Sequence, residues 1–210
     1  MKPSNLAKRL RASLAVAGAL ALGAAVARWQ LTRLFTEQAP YEVERRLGHI
    51  EIRKYPSIVV AQTTVTGKPW RKALGDGFRR LAGYIFGRDA PGHREHIPMT
   101  TPVFATRSGD VHDVQFFMPK GSSLESLPPP RDPRVELRTL PPRRVAVRRS
   151  HGTYRGSRVR ALQRELLEEV RRAGLATRGE VGFAGYDPPS TLPLLRRVEA
   201  WVELAPDQPT

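Results

Sequence analysis

The chain has 210 residues, of which 40% are hydrophobic, so it has room for one globular domain of about 150–170 residues and an extension. It contains no cysteine, which excludes disulfides, thiolate metal sites and a cysteine nucleophile. The net charge of +15 favours anionic partners such as phosphates, anionic lipids or ligand carboxylates, although arginines spread along the chain also suit a solvated basic surface. Because the sequence has no helix-turn-helix, zinc-finger or aromatic RNA-binding motif, nucleic acid is not an expected partner.

The first 36 residues have the pattern of a targeting or anchoring segment. Four basic residues and no acidic residue precede an apolar run over residues 12–27, which ends in the small-residue sequence Ala25-Val26-Ala27. A cleaved secretory signal has this order of features, and a retained membrane anchor is the alternative. A helix packed on the folded domain is a third interpretation. We expect the protein to be exported or membrane-anchored on the extracytoplasmic side rather than cytoplasmic, with one folded domain over residues 37–206.

The folded part begins with two predicted strands and a helix. Ile50–Tyr55 and Ile58–Thr66 alternate apolar and polar residues, and Pro56-Ser57 between them is typical of a turn. Pro69 suits the first turn of a helix, and Gly87 is a suitable stop. Apolar residues at spacings of three and four predict one buried stripe along this helix, formed by Trp70, Leu74, Phe78, Leu81 and Ile85.

Two more predicted strands, Val103–Thr106 and Val114–Met118, complete a ββαββ unit at residues 41–119. Residues 119–133 contain glycine, serine and three consecutive prolines, which predicts a linker. A second unit at residues 134–204 has the same order of elements. Its predicted parts are the strands Arg134–Thr139 and Arg143–Ser150, a helix with Ser157 as N-cap, the stripe Val159, Leu162, Leu166 and Val170, Gly174 as the helix stop, and the strands Val181–Ala184 and Arg197–Leu204.

The second unit repeats the first at a constant offset of eighty-five residues. Ile50-Glu51-Ile52-Arg53 returns as Val135-Glu136-Leu137-Arg138, and Val60-Ala61 returns as Val145-Ala146. A repeat without gaps marks a duplicated supersecondary unit, and two such units can pack face to face with a binding cleft between them. The many hairpins favour antiparallel pairing, so we predict an α+β domain with eight strands and two covering helices.

The sequence lacks the usual catalytic signatures. Gly75-x-Gly77 has no third glycine of a dinucleotide loop, and paired carboxylates are absent from apolar surroundings. His93 and His96 have a spacing that suits two metal ligands, but no further ligand group accompanies them. Gly75, Gly77 and Gly83 fall inside the first predicted helix, where they allow either close packing on the sheet or space for a flat ligand. We therefore expect a binding protein rather than an enzyme.

Four segments of the chain occur together in one known family. They are Ile52-Arg53-Lys54-Tyr55, Ile97-Pro98-Met99-Thr100-Thr101-Pro102-Val103, Phe117-Met118-Pro119, and Gly185-Tyr186-Asp187-Pro188-Pro189 followed by Arg196-Arg197-x-Glu199. In combination they resemble the SOUL haem-binding protein family, over residues 41–204. The resemblance implies a distorted antiparallel β-barrel, here of eight strands, with two flanking helices and a pseudo-two-fold duplication of the ββαββ unit. The N-terminal hydrophobic segment would add a further helix.

The resemblance also implies non-covalent binding of haem or another tetrapyrrole by a carrier or buffer protein. It places the porphyrin against the first helix, and the basic residues of that helix suit the propionates. Lys54 stands where some members have a proposed axial histidine, and Ala82 stands where a related member has methionine. Carried over to this chain, the haem-binding residues are Leu74, Phe78, Ala82, Ile85, Lys54 and Tyr186, and the propionate-pairing residues are Arg71 and Arg79.

Two other interpretations stay open at the level of sequence. The helix residues assigned to haem have the spacing of an ordinary core stripe, which would make them wholly structural. A gyrase-inhibitor-like effector-binding or protein-interaction module shares the duplicated architecture, and it would place other amphipathic small molecules in the cleft between the repeats. An enzyme acting on a tetrapyrrole is a third class, but no acid–base or nucleophile constellation supports it.

Overall fold

The structure, a computed structural model, describes residues 36–87 and 96–206. The N-terminal segment predicted as a signal or anchor, and with it the predicted N-terminal helix, lies outside the described residues, as does His93. The strands are β1 (Glu37–Gln38), β2 (Glu42–Leu47), β3 (Ile50–Tyr55), β4 (Ile58–Thr66), β5 (Thr100–Thr101), β6 (Val103–Ser108), β7 (Val111–Phe117), β8 (Glu136–Leu140), β9 (Arg143–His151), β10 (Thr177–Gly185) and β11 (Arg197–Leu204), and the helices are α1 (Trp70–Ile85) and α2 (Gly156–Arg172).

Nine of the described strands form one curled antiparallel sheet, in the order β2-β3-β9-β11-β10-β6-β7-β4-β8. The α+β class is confirmed, but the predicted eight-stranded barrel is corrected to a nine-stranded half-barrel whose edges are β2 and β8. The additional strand is β2, which joins β3 through a turn in which Gly48 has a φ of 57°. Every residue of β2 except Leu47 is exposed, so the sequence offered no apolar alternation by which to predict it.

The strands of the two halves follow the same order of elements along the chain. The bounds of β9 are those of β4 displaced by eighty-five residues, and α1 and α2 occupy corresponding places. The corresponding strands of the two halves are β3 and β8, β4 and β9, β6 and β10, and β7 and β11. Replacing each strand in the sheet order from β3 to β8 by its counterpart gives the same order read backwards. This order agrees with the internal duplication, which itself stays a prediction.

The two faces of the sheet have different coverings. One hydrophobic cluster draws residues from β3, next to one edge of the sheet, and from β8 at the other edge, so the face that carries it is concave. The opposite face carries two separate clusters, one beneath α1 and one beneath α2. Both helices therefore pack on the convex face and leave the concave face to side chains of the sheet. Neither described helix is long and apolar enough to cross a membrane.

The helices show one confirmed stripe and two corrections. The buried residues of α2 are Val159, Leu162, Leu166 and Val170, as predicted. Ser157 is not its N-cap, because α2 begins at Gly156 after Arg155 and has no side-chain cap. On α1 the buried face is rotated from the predicted stripe, so that Phe78 is 38% exposed. The buried residues of α1 are Ala73, Gly77, Leu81, Ala82, Tyr84 and Ile85.

Candidate functional site: the outer face of the first helix

A single glycine sets how closely α1 lies on the sheet. A Cβ atom at Gly77 would come within 2.5 Å of Val114 Cγ2 and within 3.5 Å of Thr63 Cγ2. Only a residue without a side chain fits between the helix and strands β4 and β7. The close-packing interpretation therefore holds for Gly77, and the close approach accounts for the rotation of α1 that brings Phe78 to the surface.

The other two glycines of α1 have no such packing role. A Cβ at Gly75 or at Gly83 would meet nothing within 4 Å. A helix-interior glycine costs roughly 1 kcal/mol relative to alanine, so two glycines facing open space weaken α1 without a packing benefit. Space for a ligand beside the helix, the second interpretation drawn from the sequence, fits these two positions.

The outer face of α1 combines these features in one exposed surface, formed by Arg71, Lys72, Gly75, Phe78 and Arg79. Phe78 anchors this surface, because its ring packs edge-on against Phe116 with 5.2 Å between centroids while more than a third of the residue stays exposed. Gly75 precedes Phe78 by three residues, so the two are neighbours on the helix surface, and no side chain projects beside the ring at Gly75. The surface thus offers an apolar patch next to basic side chains.

The charge on α1 is strongly positive, with four basic residues and one acidic residue, Asp76. Lys68 and Arg79 both form ion pairs with Asp76, and their hydrogen bonds, that of Lys68 first, hold the pKa of this carboxyl below its ordinary value. Arg80 turns back to β4, where it donates to Thr63 Oγ1 at 3.1 Å. Arg71 and Lys72 are exposed and lie at the N-terminal end of the outer face.

The structure brings part of the predicted haem-binding set together. Leu74 is half-buried and Phe78 is exposed on α1, whereas Ala82 and Ile85 are buried in the cluster beneath it. Arg71 and Arg79 both lie on the outer face of α1, as the predicted propionate-pairing role requires. The structure does not place Lys54 or Tyr186 on α1.

Lys54 and Tyr186 belong to other surroundings. Lys54 is exposed on β3, where its ammonium lies 3.6 Å from Glu44. Tyr186 is 8% exposed and follows β10, and its hydroxyl donates to Glu199 Oε2 at 2.8 Å. Burial, followed by the negative charge of Glu199, raises the pKa of Tyr186 well above its ordinary value. Tyr186 is therefore a neutral hydrogen-bond donor inside the sheet.

Two of the four segments that resemble the family, the first and the last, meet in one buried ionic cluster. Arg53 donates to both carboxylate oxygens of Glu199, at 2.8 and 3.0 Å, and Arg197 donates to Glu199 Oε1 at 2.7 Å. Arg53 and Glu199 are each 1% exposed. The cluster joins β3 of the first half to β11 of the second. Its acceptors are saturated, which suits a structural role better than acid–base chemistry.

Sequence reasoning had missed this cluster, although a signal was present. Arg53 alternates with apolar residues on β3 and Glu199 lies among apolar residues on β11, and a charged residue buried at such a position must find a partner. The pairing links residues 146 positions apart, and no local pattern predicts a contact over that distance.

A metal site is not formed by the described residues. Within residues 36–87 and 96–206, no group of three or more histidine, cysteine, aspartate or glutamate side chains is placed to hold a metal ion. His96 is exposed just beyond α1, where the neighbouring Ile97 N–H donates to Ile85 O at 2.9 Å. His112 is buried, and its Nε2 donates to the carbonyl of Lys68 at 2.9 Å.

Comparison with known proteins matches the folded part of the chain to a single family. A family model described as SOUL heme-binding protein matches residues 36–203. Heme-binding protein 2 of Mus musculus is 26% identical over 173 residues, which cover 79% of this chain and 82% of the mouse protein.

Two solved structures share the fold. The C-terminal domain of EcmrR has a TM-score of 0.54 at 11% identity, over 79% of this chain and 98% of that domain. A hydrolase from Listeria innocua has a TM-score of 0.52 at 13% identity, over 74% of this chain and 91% of that protein. At such low identity these likenesses show the fold alone.

Proposed function

The chain belongs to the SOUL heme-binding protein family, and from this membership we propose that it binds haem non-covalently on the outer face of α1, as a carrier or buffer without catalysis. Haem binding is a property of the family, and the mouse relative carries it in its name. Haem or a closely related porphyrin is therefore the expected ligand.

The observation that carries this proposal is the exposed Phe78 ring beside Gly75, which faces open space. Haem is a large apolar plate with two propionates, so it needs a flat apolar surface with cations at its edge. Phe78 supplies the apolar contact, Gly75 lets the plate approach the helix, and Arg71 and Arg79 provide cations for the propionates. Arg79 already pairs with Asp76, so Arg71 is the stronger of the two.

Apolar burial supplies most of the affinity in this arrangement. Each square ångström of apolar surface removed from water contributes about 25 cal/mol, before the cost of association. Lys54, at the position of a proposed axial histidine in some members, is exposed on β3 rather than on α1. We propose that binding on the outer face of α1 does not depend on Lys54.

We also infer that the two ββαββ units arose by duplication and that the protein is exported or anchored to a membrane. The eighty-five-residue offset between β4 and β9 and the symmetric strand order support the first inference. The basic start of the sequence and its apolar run at residues 12–27 support the second. A haem carrier outside the cytoplasm would need the haem site alone and no catalytic group.

A titration of the full chain with haemin tests the haem proposal. Wild-type protein should give a shifted Soret band that saturates in the low micromolar range. Phe78→Glu should weaken haem binding by about tenfold or more, because it places a carboxylate among the apolar contacts and near the propionates. Gln163→Glu is the matched control, because Gln163 lies eighty-five residues later on α2 and receives the same side chain.

The outcomes separate the candidate functions. Loss of the Soret shift in Phe78→Glu alone, with unfolding curves unchanged, supports the site on α1. A flat titration of the wild-type protein, with binding of unrelated amphipathic cations, would instead favour the effector-binding module. Equal haem affinity of both variants and wild type would reject the outer face of α1 as the site.

A further inference from the structure

A second polar feature lies on the concave face, at the start of β9. The guanidinium carbon of Arg143 lies 5.8 Å from the ring centroid of Tyr55, 6.0 Å from that of Phe104 and 5.6 Å from that of Trp201. All three rings are at least nine-tenths buried. Arg143 thus places a cation over an aromatic surface built from three strands, an arrangement that stabilises the charge through cation–π attraction.

The aromatic surface is fixed in place by the sheet. Trp201 donates from its indole nitrogen to the carbonyl of Phe183 at 3.2 Å, and a Cβ at Gly182 would overlap the indole. Phe104 contacts Trp201 edge-on at 5.8 Å and Tyr55 at 6.4 Å between ring centroids. The rings are therefore fixed and hold the Arg143 guanidinium in place, so an anion bound to Arg143 would lose little affinity to ordering of the protein.

Arg143 lacks the carboxylate partner that Arg53 and Arg197, on the same face of the sheet, have. Its Nε atom is buried and has no hydrogen-bond partner within the described part of the chain. Among the same residues no carboxylate lies within 4.0 Å of it, whereas Arg53 and Arg197 both bind Glu199. Glu203 acts on Arg143 through its charge but lies 3.9 Å from Arg178. Burial nevertheless lowers the pKa of Arg143, so a bound anion would offset the free-energy cost of burying its positive charge.

Further polar groups share the concave face with Arg143. Directly opposite residues of paired strands lie on one face, and Arg138 is opposite Val60, while Gln115 is opposite both Phe104 and Gln62. Gln115 donates to Gln62 Oε1 at 2.7 Å, and Arg138 donates to the same oxygen at 3.4 Å. The concave face thus carries four arginines and two amides next to the aromatic surface, and two of the arginines, Arg53 and Arg197, are bound to Glu199.

We propose that the concave face holds a second binding site, which takes a small ligand with a carboxylate or phosphate group. The anionic group of such a ligand meets Arg143, whose guanidinium lies against the rings of Tyr55, Phe104 and Trp201. The site is independent of haem, because α1 packs on the opposite face of the sheet, over Ala61 and Phe116.

A ligand series tests the charge requirement on wild-type protein alone. The full chain is titrated calorimetrically with naphthoate, naphthyl phosphate and the neutral naphthamide. At least one of the two anions should bind about tenfold or more tightly than the amide, and their ranking separates a carboxylate site from a phosphate site. Equal affinities for all three probes, or no binding of either anion, would overturn the proposal.

A pair of variants tests the residue. Arg143→Gln should abolish the preference for the anion over the amide, whereas Arg144→Gln should keep it, because Arg144 pairs with Glu44 at 2.8 Å instead. If Arg143→Gln does not fold, Arg143→Lys should keep the preference at reduced affinity, since lysine retains the charge without the planar fork. An unchanged preference in a folded Arg143→Gln protein would reject Arg143 as the anion contact.

The haem proposal can fail without affecting this result. Phe78→Glu should leave the affinity for the naphthyl anions unchanged, and haemin should not compete with them. Competition by haemin would show that the two ligands share one site and would overturn the claim of a separate one.

Discussion

The two helices cover the same face of one sheet from corresponding places in the two halves, yet their outer surfaces differ. All four buried apolar residues of α2 face the sheet, and Glu165 and Glu169 at its flank pair with Arg148 on β9. Its outer side is charged and exposed, with Arg160, Arg164 and Glu168. On α1 an aromatic ring stays outside, beside Gly75. At the offset of eighty-five, Gly75 corresponds to Arg160 and Phe78 to Gln163.

This difference is the reason why we propose the ligand site on α1 and not on α2. The outer side of α2 consists mostly of charged residues exposed to solvent, which is the usual composition of a helix that only covers a sheet. The outer side of α1 gives up helix propensity at two glycines, at a cost of roughly 1 kcal/mol each relative to alanine, and leaves Phe78 more than a third exposed. An apolar guest on α1 would account for both features at once.

The largest expected effect concerns the sheet on which both helices rest. Glu199→Gln removes the buried carboxylate that Arg53 and Arg197 share and leaves Arg53 with Glu51, whose side chain is 26% exposed, so the free energy of unfolding should fall by about 3–5 kcal/mol in a urea titration. Arg46→Gln is the control, because Arg46 is 70% exposed in its pair with Glu51 and should contribute less than about 1 kcal/mol. A loss no larger than that of the control would show that the halves are not held together by Glu199.

The same cluster predicts a dependence on pH. Burial alone would raise the pKa of Glu199, but the hydrogen bond and charge of Arg53, followed by Arg197, hold it below its ordinary value of 4.5. The stabilisation is therefore complete above that value and is lost as the pH falls through the lower pKa of the folded state. The difference in unfolding free energy between wild type and Glu199→Gln should narrow as the pH falls below 4.5. A constant difference down to the acid limit would contradict the assignment.

Gly77 on α1 and Leu162 on α2 occupy corresponding positions, and alanine at each changes the side-chain volume in opposite directions. Gly77→Ala should destabilise by about 1–3 kcal/mol, because its methyl group would overlap Val114. Leu162, eighty-five residues later, is 3% exposed, and Leu162→Ala should cost about 2–5 kcal/mol through the cavity it leaves. Thermal and urea unfolding measure both. If Gly77→Ala were neutral, α1 would not depend on close approach to the sheet.

The sequence predicted some of the strands and helices more accurately than others. The bounds of β3, β4 and β11 and the stripe of α2 were predicted as observed, because regular alternation and regular spacing leave little choice of face. The stripe of α1 was wrong at Phe78, because the residues that face the sheet include Ala73 and Gly77, which carry little apolar signal. Strand β2 was missed because its side chains face solvent.

The candidate site was predictable only in part. The family resemblance indicated α1 as the site, and the glycines within this helix indicated either close packing or space for a flat ligand. It did not show which glycine faced the sheet, because that depends on the position of Val114 on β7. The role of Tyr186 depends on Glu199, and the environment of Arg143 depends on three strands from both halves. These contacts follow from the tertiary structure and not from local pattern.

The smallest expected effect is a gain in stability. Gly83→Ala should raise the free energy of unfolding by about 0.4–1 kcal/mol, because alanine favours the helix and the added methyl group meets no atom within 4 Å. The gain would be measured by thermal unfolding without ligand. A loss of stability would mean that the outer side of α1 is covered by another part of the protein.

The most direct test of the central claim is the position of bound haem relative to the two helices. Ferric haemin is paramagnetic and broadens the amide resonances of nearby residues, whereas zinc protoporphyrin is a diamagnetic control of the same shape. In the full chain, haemin should broaden the amides around Gly75 and Phe78 and leave those around Arg160 and Gln163 on α2 sharp. Broadening confined to α2 or to the concave face, with α1 unaffected, would contradict the account.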